Sequence, residues 1–93
     1  MTAHAILWKR HAIADMIWIG NRIASTSRVS AERMISLIES KVAPLADHPN
    51  LGKSGRRRGV RELVASEQYL VVYRNLPAAV EILRVKHIEQ QWP

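Results

Sequence analysis

The run Tyr69-Leu70-Val71-Val72-Tyr73-Arg74 constrains the fold more than any other stretch, because it packs two tyrosines, two valines and a leucine into six residues. Aromatic and β-branched side chains suit a pleated surface with neighbours on either side. Its apolar residues occupy both alternating sets, Leu70 and Val72 against Tyr69, Val71 and Tyr73, as expected of a central strand. Partners lie close in sequence. Gly59–Val64 is a strand candidate upstream, joined through the hairpin-length Ser66-Glu67-Gln68, and Val80–Val85 returns downstream after the turn Asn75-Leu76-Pro77-Ala78. Such short connections predict an antiparallel meander.

The first half reads as support for that sheet. Ala5-Ile6-Leu7-Trp8 is a short apolar run bounded by His4 and Lys9, and reads as a buried strand. From Ala12 to about Ala24, Ile13, Met16, Ile17, Ile23 and Ala24 fall on one helical face with Gly20 among them, while Trp18 and Ile19 fall off it. Glycine there costs about 1 kcal/mol against alanine, which predicts that another backbone comes close. Ser27 or Ser30 then caps a second helix, whose stripe is Ala31, Met34, Ile35, Ile38, Val42 and Leu45. Pro44 predicts a kink or a fresh turn, and Pro49, Asn50 and Gly52 end the helix by His48. The expected architecture is α+β: an N-terminal strand and a two-helix antiparallel hairpin packed on a small, mostly antiparallel sheet, in the order β-α-α-β-β-β.

Ninety-three residues suffice for one domain, 1–93, with one modest core. The absence of cysteine removes disulfides, thiolate metal sites and thiol nucleophiles, and fits a reducing, cytoplasmic setting. Met16–Ile19 is far shorter than the roughly 20 apolar residues that a membrane span needs. His4, His11 and His48 are too scattered for a metal site. No cofactor, metal or membrane partner is therefore expected.

Charge is concentrated. Lys53, Arg56, Arg57, Arg58 and Arg61 fall within nine residues that contain no acid, and supply most of a formal net charge of +6. A block of this kind favours a polyanion, either nucleic acid or an acidic protein surface; taken alone it reads equally as a solvated loop. The helix hairpin covers one face of the sheet. The other face is expected to remain half-apolar, with Arg61, Arg74 and Arg84 entering it, as a surface that a partner covers.

Four ordered segments then carry a family resemblance: HPNLGKSGRRRGVRELV, YLVVYR, VEILRVKH and the terminal QQWP. Together with the preceding strand and helix hairpin, they resemble the RelE/ParE superfamily of toxins from bacterial type II toxin–antitoxin pairs. The resemblance spans essentially the whole chain. It implies a cognate antitoxin whose C-terminal segment wraps the toxin, and on the basic, half-apolar face a folding acidic peptide finds both apolar anchors and arginines. Target- or antitoxin-binding residues are expected among Lys53, Arg56, Arg57, Arg58, Arg61, Tyr73, Arg74, Arg84, Lys86, His87 and Trp92.

The superfamily divides by target. RelE-like members resemble ribosome-dependent ribonucleases that cut mRNA; ParE-like members poison DNA gyrase and so block replication and growth. Ribonuclease chemistry requires acid–base groups and cations around one phosphate. His87 is the candidate acid and Arg61 and Arg84 the candidate cations, but no base accompanies them. Equally, His87 reads as a polar strand-end residue, and Tyr69 and Tyr73 as packing rather than base-stacking residues. Nuclease members tend to carry a charged residue where Tyr69 stands, and the tail Ile88-Glu89-Gln90-Gln91-Trp92-Pro93 is poor in acid–base groups. The RVKH segment and terminal WP look ParE-like, although related chains often have basic residues at Gln90 and Gln91 and a leucine at Lys86. Three functions follow in order: a gyrase-inhibiting, plasmid-stabilisation type toxin, a ribosome-dependent mRNA endoribonuclease, and a non-toxic basic nucleic-acid-binding domain.

Overall fold

The computed structural model describes residues 3–89; Trp92 and the rest of the terminal QQWP lie outside the described residues. Strand β1 (Ala5–Trp8) leads into helices α1 (Arg10–Ala24) and α2 (Arg28–Val42) and a 3-10 turn (Ala43–Ala46). Strands β2 (Lys53–Ser54), β3 (Arg61–Val64), β4 (Tyr69–Asn75) and β5 (Ala79–His87) follow. They form one sheet in the order β1-β5-β4-β3-β2. The meander is antiparallel throughout, and β1 joins it parallel to β5, with Ile6 opposite Val80 and Trp8 opposite Ile82. A parallel neighbour requires a long crossover. The helix hairpin is part of it, so β1 reaches the edge that β5 leaves open.

Both helices lie on one face. There Tyr69, Val71, Tyr73, Val80, Ile82 and Val85 pack against Ala12, Ile19, Ile38, Val42 and Leu45. On α1 the buried stripe is rotated from the expected one. Ala12 and Ile19 are buried while Ile13 and Ile17 are about half exposed, so the core-facing set is Ala12, Met16, Ile19 and Ile23. Offsets of 0, 4, 7 and 11 fit a helix as well as the set centred on Ile13. The stripe on α2 is as expected, with Ala31, Ile38, Val42 and Leu45 buried. Gly20 does not admit another backbone: a Cβ placed there would meet the side chain of Ile35, at an ordinary 3.7 Å. Ser27 caps α2 by accepting from the Ser30 amide, 3.1 Å, and Pro44 opens the 3-10 turn as a fresh start.

The opposite face has no helix over it. Leu70 and Val72 are nevertheless buried there. The register explains this, because Val72 sits between Glu62 and Arg84 and Leu70 between Val64 and Lys86. Long neighbouring side chains cover short apolar ones.

Candidate interaction site

The basic segment has a neck and a tip, and they are made differently. At the neck, the Tyr73 hydroxyl donates to the Pro49 carbonyl (2.7 Å) and accepts from the Gly52 amide (2.9 Å). Tyr73 has no exposed surface, so both bonds are made where water cannot replace them. Gly52 fits only because it has no Cβ: one placed there would stand 2.7 Å from the Glu62 carbonyl oxygen and 2.8 Å from the Tyr73 ring. Arg61 completes the clamp. Its Nε donates to the Gly52 carbonyl (3.1 Å) and its Nη2 to the Asn50 carbonyl (3.3 Å). Arg61 lies opposite Tyr73 in the ladder and so shares the helix-side face. The expectation that it enters the open face is corrected, because alternation along β3 sends Glu62 there instead.

At the tip the chain turns in space. The Gly55 amide donates to the Val60 carbonyl (2.8 Å), closing the loop, and the Val60 amide donates to the Arg57 carbonyl (3.3 Å). Residues 57–60 therefore form a β-turn with Gly59 at its third position, where φ is +82°. That is the position at which a type II turn needs glycine. Glu62 braces the approach: its carboxylate accepts from the Arg56 amide (3.3 Å) and lies 3.9 Å from the Arg56 guanidinium. Lys53, Arg57 and Arg58 are exposed, and the two arginines line a concavity of about 580 Å³ together with Arg56 and Arg61.

The open sheet face carries more carboxylate than expected. Arg74 donates to Glu81 through Nε (3.2 Å) and Nη2 (2.8 Å), and Lys9 stands 3.4 Å from the same carboxylate. The Arg74 hydrogen bond, helped by Lys9 and opposed by partial desolvation, holds Glu81 below its ordinary 4.5. Arg84 is held by Asp15 of α1 through two bonds of 2.7 and 2.9 Å, which push its pKa above the ordinary value. The same Asp15 accepts from the Val85 amide (2.8 Å). β1 ends opposite Ile82, and Asp15 supplies beyond it the acceptor that a longer β1 would have offered. Arg74 and Arg84 thus serve the fold as well as the surface. Lys86, on this face opposite Leu70, is partly exposed.

His87 closes β5 on the helix side, edge-on to Tyr69 with ring centroids 5.5 Å apart. Its Nδ1 accepts from the Glu89 amide (3.2 Å), which places the proton of the neutral ring on Nε2. A cleft of about 420 Å³ opens beside it, lined by Asp15, Trp18, Arg22, Tyr69 and His87. Arg22 covers Trp18 there, 5.3 Å from the ring centroid. The sequence reading gives Asp15 and Arg22 no role and names Trp18 only as a residue off the helix stripe; the four-residue spacing of Trp18 and Arg22 on a helix is the signal that finds that pair. The three candidate catalytic residues are not brought together. Arg61 pairs with Tyr73 at one end of β4 and His87 with Tyr69 at the other, about 13 Å apart along the strand alone at ~3.3 Å per residue. Arg84, bonded to Asp15 of α1, reaches the border of the cleft beside His87, so it is Arg61 that stands apart. No group of three or more His, Asp or Glu among the described residues could hold a metal, and no helix among them is long and apolar enough to cross a membrane.

A family model described as the ParE toxin of the type II toxin–antitoxin system parDE matches residues 6–92. The chain belongs to this ParE toxin family. Over 100% of its length it is 36% identical to Y4kP of Sinorhizobium fredii, a protein named as a candidate toxin, and it covers 97% of that protein. It is 38% identical to Toxin RelE3 of Caulobacter vibrioides over 75% of this chain and 74% of that one. In fold it matches a solved chain of the chromosomal ParDE toxin–antitoxin system from P. aeruginosa, with a TM-score of 0.84 and 23% identity over 94% of this chain and 98% of that one. The protein is thus the toxin of a type II pair, and a cognate antitoxin is its implied partner.

Proposed function

We propose that this toxin acts by binding DNA gyrase, without bond-making chemistry of its own, and that a cognate antitoxin neutralises it. The observation that carries this reading is the separation of Arg61 from His87, with Arg84 already committed to Asp15. Cleaving RNA requires an acid, a base and cations within a few ångströms of one phosphate. Arg61 instead donates to loop carbonyls, Arg84 is locked to Asp15, and His87 stands at the far end of β4. Poisoning by surface contact has no such geometric requirement. Membership of the ParE family supports the same choice, since the resemblance ties ParE-like members to gyrase.

For the antitoxin, the open sheet face offers Leu7, Val64 and Leu83 as apolar contacts beside Arg74 and Lys86. That combination suits an acidic segment that folds as it binds.

Induced expression in cells with wild-type and with drug-resistant gyrase tests the proposal. Growth should stop with filamentation and SOS induction in the first strain and be relieved in the second, and His87→Ala should remain toxic. Rapid loss of protein synthesis with codon-phased mRNA cuts, or loss of toxicity in His87→Ala with antitoxin binding intact, would replace this reading by the endoribonuclease one.

A further inference from the structure

We propose that the tip of the β2–β3 hairpin is a duplex-DNA contact, in which Arg57 and Arg58 lie against the phosphate backbone without reading sequence. The inference does not depend on which target the toxin inhibits.

Three observations carry it. First, the cations here are presented rather than consumed. Arg57 and Arg58 are exposed, with Lys53 on the same ribbon, whereas Arg61, Arg74 and Arg84 are bonded into the fold. Second, the presentation is pre-organised. The Gly55–Val60 bond closes the loop, the turn at 57–60 fixes the two arginines in succession, and Glu62 holds the Arg56 amide. A ligand therefore does not have to order the backbone first, which lowers the entropic cost of binding. Third, the apex of the turn is uncrowded: Gly59 is exposed, and apart from its chain neighbours nothing lies within 4 Å of where a Cβ would be there.

The chemistry of the surroundings separates a nucleic acid from an acidic peptide. A peptide that folds on binding needs apolar anchors as well as charge pairs. Around the concavity only Val60 is apolar, among arginines, glycines, Ser54 and Asn75. A phosphate backbone needs no anchor, only cations spaced along a line of charge, and gains from counterion release. Shape favours DNA over RNA, since a two-stranded ribbon fits the major groove of B-form DNA while the A-form major groove is too narrow for side chains to enter.

Fluorescence anisotropy of the full chain with a labelled 20–30 base-pair DNA duplex of arbitrary sequence, titrated from about 50 to 200 mM salt, tests this. Arg57→Ala/Arg58→Ala should weaken binding by about tenfold or more at the low-salt end and reduce the salt slope by about two. Its thermal melt should match the parent, because both side chains are exposed. Arg28→Ala/Arg33→Ala on α2, which removes the same charge elsewhere, should change the slope far less. A slope unchanged by the tip substitutions, or lowered equally by the α2 pair, would overturn the proposal. So would equal or tighter binding of an RNA duplex of the same length, or equally tight, tip-dependent binding of polyglutamate, which would reassign the tip to RNA or to an acidic protein.

Discussion

The neck and the tip of the basic segment are built from the same residue types, glycine and arginine, and use them in opposite ways. At the neck, Gly52 is required by lack of space and Arg61 spends its donors on carbonyls. At the tip, Gly59 has empty space around it and is required by a positive φ, while Arg57 and Arg58 point outward. Composition therefore says little about role here. What separates the two regions is a single aromatic hydroxyl, Tyr73, that reaches out of the core to hold one of them and not the other.

That contrast makes damage at the neck a stability event. Gly52→Ala is the largest expected effect. The new methyl would meet the Glu62 carbonyl and the Tyr73 ring, neither of which is the movable end of a flexible side chain. The loop must lift and release both Tyr73 hydroxyl bonds, which costs about 3–5 kcal/mol. That is a large share of the 5–15 kcal/mol typical of a domain. Thermal unfolding should show a fall in Tm of more than about 12 °C; a fall of only a few degrees would mean that the loop is not clamped.

Tyr73→Phe isolates the hydroxyl and comes second. The ring stays in the core, while the Gly52 amide and the Pro49 carbonyl lose a buried partner, at about 2 kcal/mol. A Tm lower by about 8–16 °C is expected, with DNA affinity unchanged at temperatures where the variant is folded. Equal losses of stability and affinity would join neck and tip into one unit.

The contrast also explains what could be read from sequence. The strand content of YLVVYR, the meander, the stripe of α2 and the break at Pro44 follow from local propensity and period, which act over a few residues. The core-facing stripe of α1 is not legible because its apolar residues, Ala12, Ile13, Met16, Ile17, Ile19 and Ile23, span a broad arc, so two overlapping stripes fit and packing chooses between them. Arg61 was put on the wrong face because a strand begun at Gly59 hides the loop geometry that gives Arg61 its partners. Asp15, which answers Arg84 and the Val85 amide, is 69 and 70 positions away from them in sequence, beyond any local pattern. The basic tip itself was legible, since clustered charge needs no tertiary information to be seen. Which of its arginines stay exposed was not, because that depends on Glu62 and the neck.

Gly59→Ala is the smallest effect and tests the tip. Nothing lies within 4 Å of the added methyl, so the cost is the backbone's alone: alanine at φ +82° loses about 1 kcal/mol relative to glycine. A Tm lower by about 4–8 °C is expected, well short of Gly52→Ala although both are glycine-to-alanine changes only seven residues apart in one segment. The turn would relax toward a conformation with negative φ and splay Arg57 and Arg58, so DNA affinity should fall while the number of cations, and hence the net charge, stays the same. Unchanged affinity would show that loose charge suffices at the tip and that its turn geometry is incidental. A drop in Tm as deep as that of Gly52→Ala would show that the tip, like the neck, is anchored to the core.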